Sequence, residues 1–152
     1  MGRIFSPYRI CPIGAHIDHQ GGPVLGRTLT FGTTLEYEPL ESNQVIIASD
    51  QFGKAEFVIG DLDMGHWTRY AQAAAHVLQA KRGMQAHVSG SLIGSGLSSS
   101  ASVSLAYLKA LADVNGIELS GPQLVQMEYQ LEHDVLNLQI GFSNYSYNIL
   151  IY

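Results

Sequence analysis

The stretch Ile93-Gly94-Ser95-Gly96-Leu97-Ser98-Ser99-Ser100-Ala101-Ser102 decides how the rest of the chain is read. It sits between a short alternating segment at 85–89, which predicts a strand, and an apolar stripe through Val103, Ala106, Leu111 and Val114, which predicts a helix over 99–114. Gly94 and Gly96 let the backbone turn tightly and approach a ligand with no Cβ in the way. Ser98, Ser99 and Ser100 add hydroxyls, and the first helical turn adds unpaired N–H groups and the positive end of the dipole. A loop built this way holds a polyphosphate with little help from lysine. It is not a Walker A loop, because the Gly-Lys-Ser/Thr ending is absent. The dinucleotide-binding spacing also fails, since Ser99 stands at the third glycine position. A plain connector with serine N-caps has the same composition, so loop chemistry alone leaves both readings open.

Outward from the loop, the pattern is several strands followed by helices, an α+β arrangement. Strands are expected at 3–11, 28–37, 44–49 and 55–59, the third and fourth joined by the turn Asp50-Gln51-Phe52-Gly53. Trp67, Tyr70, Ala71, Ala74 and Leu78 recur at helical spacing up to Ala80, with Gly83 expected as the stop. Asn115-Gly116 is the expected left-handed end of the 99–114 helix. A further helix is expected after Ser120, with Pro122 in its first turn, running through Leu124, Met127, Leu131 and Val135.

The 152 residues suit one domain, and 46% apolar with 14% charged residues is an ordinary globular composition. Net charge is -5 and the eight basic residues are scattered, so nothing supports a nucleic-acid-binding stripe. No apolar run approaches the roughly 20 residues that span a bilayer. Met1 to Pro7 lack the apolar stretch of a secretory signal, and a myristoylation signal is not supported. Cys11 is the single cysteine, which fits a reducing compartment, and the cytoplasm is the expected location.

Gly94-Ser95-Gly96-Leu97-Ser98-Ser99-Ser100-Ala101-Ser102 closely resembles the phosphate-binding motif of the GHMP kinases. Arg9-Ile10-Cys11-Pro12-Ile13-Gly14-Ala15-His16-Ile17-Asp18-His19-Gln20-Gly21-Gly22 resembles the N-terminal signature of their galactokinase branch. The order and separation of the two segments agree with that family. Begun at Ser6, the second segment is most similar to the plant-type galacturonokinases. The resemblance implies a mixed sheet packed against helices (the fold of ribosomal protein S5 domain 2) and ATP-dependent phosphorylation of a sugar's anomeric hydroxyl. Residues 1–152 are then expected to form the N-terminal, ATP- and sugar-binding domain. The family's C-terminal domain is not in this sequence, and the wording diverges from about residue 139.

The resemblance also implies roles. Gly94, Ser95, Gly96, Leu97, Ser98, Ser99 and Ser100 would hold the nucleotide phosphates. Ser100 and Glu132 would hold magnesium, and Arg9 would stabilise charge on the transferring phosphoryl. Asp18 would accept hydrogen bonds from sugar hydroxyls, and Gly141 would lie against the substrate. Galactokinases carry a glutamate at the position of Ala15, where it binds the C6 hydroxyl. A C6 carboxylate would be repelled there, so Ala15 removes the clash and His16 is placed to donate to an acidic sugar. Without the motif, Arg9 reads as a surface ion pair, Asp18 as a turn residue and Glu132 as a solvated helix residue. His16 and His19 have a zinc-like spacing, but no further ligand follows at recognisable distance.

Asn144 stands where the family has the aspartate that takes or orients the hydroxyl proton, Tyr145 replaces its glutamine, and Asn137 replaces an expected glycine. An amide can orient a hydroxyl but does not accept its proton at neutral pH. Three accounts follow: a piece of a longer kinase or an aberrantly terminated one, a catalytically inactive binding homologue, or a chain completed by a partner. In each the cleft stands open and apolar surface is exposed, so self-association is expected.

Overall fold

The computed structural model describes residues 1–13, 25–90 and 99–138. Five strands form one sheet: β1 (Gly2–Ile13), β2 (Leu25–Pro39), β3 (Gln44–Ser49), β4 (Gly53–Val58) and β5 (Met84–Gly90). Their spatial order is β1-β2-β5-β3-β4. All neighbours are antiparallel except β3 and β5, which run parallel, so the sheet is mixed. The parallel pair requires a crossover, and α1 (Arg69–Val77) provides it.

Alternation along the strands turns Val45 and Ile47 of β3 and Met84, Ala86 and Val88 of β5 to one face. That face packs against α1 and α2 (Ser99–Val114), with Leu105, Leu108 and Leu111 filling the centre. Ala71, Ala74 and Ala75 are sealed in the same core, and their small side chains let α1 lie close to its neighbours. α3 (Gly121–Tyr129) completes the layer and begins with a reciprocal capping box between Ser120 and Gln123, with Pro122 in its first turn.

The mixed sheet with packed helices agrees with the α+β expectation. Two local expectations do not hold. Trp67 lies ahead of α1, which begins at Arg69, and Gly83 does not end it. The helix closes in a Schellman motif: Ala80 N–H donates to Ala75 C=O and Gln79 N–H to His76 C=O, both at 3.0 Å. Gln79 therefore takes the left-handed position, with φ of 51°. Gly83 serves packing instead, because a Cβ there would collide with the Gln44 backbone. At the end of α2 the expected left-handed glycine is present, Gly116 with φ of 66°.

The third helix also changes character. From Gln130 to Val135 it widens into a π-helical turn, a rare form that recurs at functional sites. Asn137, just beyond, has φ of 52°, which accounts physically for an asparagine where the resemblance expects glycine.

Candidate functional site

The site begins with an irregularity in β1. Consecutive strand residues normally face opposite ways, yet Ser6, Pro7, Tyr8 and Arg9 are all buried. The register with β2 shifts between Pro7 and Arg9, and a bulge there re-aims side chains. Opposite it, Gly32 admits the Ser6 and Pro7 backbone where a Cβ would clash. The Ser102 hydroxyl donates to Ser6 C=O (2.7 Å) and bonds Thr33 Oγ1 (2.9 Å), so the first turn of α2 is fastened to β1 and β2.

In front of α2 lies a cavity of about 460 Å³. Ser99 and Ser100 form its inner end, Val88, Ser89 and Gly90 of β5 form its floor, and Phe52, His66 and Trp67 form a wall. Phe52 and Trp67 stack with ring centroids 5.6 Å apart and planes inclined by 18°. His66 Nδ1 and Gln72 Nε2 both bond Thr68 Oγ1, at 2.7 and 2.9 Å, which pins the segment carrying that wall to α1. A cavity walled by stacked aromatic rings and ending at a helix N-terminus with two hydroxyls suits a base at one end and phosphates at the other.

Behind Ser100 lie two carboxyl groups. Glu128 and Glu132 are 0% and 1% exposed, so the solvated reading of Glu132 fails. The Ser100 hydroxyl is within hydrogen-bond reach of the Glu132 carboxyl. Burial pushes Glu128 up to about 10, the neighbouring Glu132 adds to this, and Arg9 partly offsets it. Glu132 is also raised by burial, with Ser100, Glu128 and Arg9 pulling the other way. Two carboxyl groups can bond one another only while one keeps its proton. Once ionised, both Glu128 oxygens and Glu132 Oε1 have no hydrogen-bond partner among the described residues. Buried acceptors in that condition, beside a serine hydroxyl, are the donor set a hard divalent cation prefers.

The GHMP kinases N terminal domain matches residues 69–150. The chain belongs to the GHMP kinase family. A galacturonokinase of Arabidopsis thaliana is 35% identical over 94% of this GHMP kinase chain and 40% of its own length. A galactokinase of Thermococcus kodakarensis is 34% identical over 91% of the chain and 41% of its own. The crystal structure of Lactococcus lactis galactokinase complexed with galactose superposes with a TM-score of 0.86 at 30% identity, covering 93% of this chain and 39% of that one. The chain thus spans about two fifths of the length of these relatives.

Of the GHMP kinase site residues expected from sequence, the fold brings Ser99 and Ser100 to the cavity and sets Glu132 beside Ser100, within reach of the Arg9 charge. Ala15, His16, Asp18, Gly94, Ser95, Gly96, Leu97, Ser98, Gly141 and Asn144 lie outside the described residues. The zinc-spaced His16 and His19 do so too, and among the described residues no three His, Cys, Asp or Glu side chains come together. Sequence reasoning missed Glu128 and the aromatic wall. Glu128 precedes Glu132 by four residues, a spacing that places both on one helical face and was the available signal.

Proposed function

We propose that this chain is the ATP- and sugar-binding part of a sugar-1-kinase that phosphorylates the anomeric hydroxyl of D-galacturonate. One observation carries the reading: Ser100, which lines the aromatic-walled cavity, is within hydrogen-bond reach of the buried Glu132 carboxyl, on which the Arg9 charge also acts. In the transfer, the sugar's O1 bonds to the γ-phosphorus, the bond to the β–γ bridging oxygen breaks so that ADP leaves with its electron pair, and the hydroxyl proton passes to water. Loose transition states of this kind need positioning and charge stabilisation more than covalent help. Arg9 stabilises the equatorial oxygens, and the Gly94–Ser100 loop seats the phosphates. Ser100 and Glu132 would hold the nucleotide's magnesium, which neutralises phosphate charge when bound. Ala15 leaves room for the C6 carboxylate, and His16 and Asp18 contact the sugar, with Gly141 lining the pocket.

The relative that acts, by name, on galacturonate supports the acidic sugar; those named galactokinases make galactose its rival. Transfer of phosphoryl from ATP to each sugar separates them. Glutamate placed at position 15 (Ala15→Glu) should sharply reduce use of galacturonate, and unchanged use overturns that assignment.

A second reading, an inactive nucleotide- or sugar-binding homologue, is favoured by Asn144, whose amide accepts no proton. It predicts ATP–Mg binding without turnover and gain of turnover in Asn144→Asp. Leu25 and Phe31 of β2, both 54% exposed, support self-association, and a monodisperse monomer in light scattering counts against it. Among the described residues no helix is long and apolar enough to cross a membrane.

A further inference from the structure

We propose that Glu128 is a second carboxylate of the cation site, so that two buried glutamates and Ser100 together face the nucleotide's divalent metal. The inference rests on the reading of Glu132 and Ser100 as cation-holding residues and extends it to a residue the family resemblance does not assign.

Glu128 occupies a position where an apolar residue would be expected. Leu124 and Leu131 flank it on the buried side of the third helix, and a leucine at 128 would simply continue that stripe. A carboxyl group instead stands there, fully sealed, its one reachable partner among the described residues being the Glu132 carboxyl, which it can bond only through a shared proton. Acceptors buried without donors are strongly unfavourable, and such groups survive where an ion completes them.

The backbone aligns the pair. In an α-helix, four residues overshoot a full turn by about 40°. The helix widens at Gln130, between the two glutamates, so the overshoot shrinks and the carboxyl groups stand more nearly in register. Charge points the same way. Arg9 is the cation that acts on both glutamates, one positive charge against two potential negative ones. A divalent ion with oxygen ligands restores the balance without a new donor.

The test is Mn2+ binding to the 152-residue chain, read from the loss of the free-ion paramagnetic resonance signal with a non-hydrolysable ATP analogue present. Glu128→Gln is expected to weaken Mn2+ binding about tenfold or more, of the order seen when a metal site loses a supporting group. Glu128→Asp, which keeps the charge, should retain more affinity than the glutamine variant. Circular dichroism checks that both variants fold. Parent-like Mn2+ affinity in Glu128→Gln, or equal losses in the aspartate and glutamine variants, overturns the inference alone. Absence of Mn2+ binding in the parent, or undiminished binding in Glu132→Gln, overturns the reading of the site and the inference with it.

Discussion

Phe52, at the tip of the β3–β4 hairpin, stacks on Trp67, fifteen positions further along the chain, at 5.6 Å between ring centroids. The two rings close one side of the cavity whose far end is Ser99 and Ser100. Trp67 is the only tryptophan, so its fluorescence reports on that wall alone. A nucleotide base entering the slot should quench or shift the emission in a saturable way. Base–aromatic stacking contributes about 1–3 kcal/mol per base, so Trp67→Ala should weaken ATP binding by roughly tenfold, measured by calorimetry. An ATP titration that leaves the emission unchanged would place the base elsewhere.

The Glu128–Glu132 pair should make stability depend on pH. Burial and the neighbouring carboxyl group raise Glu128 to about 10, from an ordinary value of 4.5. A raised carboxyl keeps its proton in the folded state and loses it in the unfolded chain. The folded state is thus favoured most at low pH, and this contribution disappears as pH rises from about 4.5 toward about 10. Glu132 is shifted the same way, and Arg9 opposes both shifts. Melting temperatures without divalent metal should fall across that window, and Glu128→Gln should flatten the decline. A parent and variant with parallel profiles would mean that Glu128 is ionised in the fold.

Gln79 offers a stabilising change. It holds the left-handed position of the α1 Schellman motif, exposed, with φ of 51°. That conformation costs a non-glycine residue roughly 1–2 kcal/mol. Glycine removes the strain but is freer in the unfolded chain, which returns about 0.4–1 kcal/mol of the gain. Gln79→Gly should therefore raise stability by about 0.5–1 kcal/mol in urea unfolding, with no change in slope.

The strands were legible because they alternate: Val45 and Ile47 inward, Glu56 and Val58 outward. The ends of α2 and the start of α3 were legible because Asn115-Gly116 and Ser120-Gly121-Pro122-Gln123 use the residues that those backbone positions favour. The end of α1 was misread for the converse reason. Its left-handed position carries glutamine, while the nearby Gly83 is required by contact with β3, a tertiary demand that no local pattern displays. Arg9, Ser100 and Glu132 were singled out through motif wording, and physics alone would have placed Arg9 and Glu132 on the surface. Glu128 was not singled out, because an acid on that helix carries no local sign of burial. Its burial depends on α2 lying across it, and on a widened turn that sequence periodicity does not signal. The cavity wall was split between a turn and a helix start, and only the sheet brings Phe52 and Trp67 together.

Gly90 and Tyr8 should show energetic coupling of an identifiable origin. A Cβ on Gly90 would fall 2.5 Å from Tyr8 Oη and 3.8 Å from Cζ, so the hydroxyl alone causes the conflict. Tyr8 is 2% exposed and lines the cavity, so its ring has little space to swing away. Gly90→Ala should cost about 1–3 kcal/mol of stability, the usual penalty for overpacking, and should weaken nucleotide binding as the floor of the cavity shifts. Tyr8→Phe removes the obstructing atom and leaves an ordinary van der Waals separation from the new methyl group. The double variant should therefore be more stable than the sum of the two single effects predicts, by about 1–2 kcal/mol, with nucleotide affinity partly restored. Additive losses in a double-mutant cycle of urea unfolding would show that the alanine disturbs the β2–β5 backbone rather than the tyrosine.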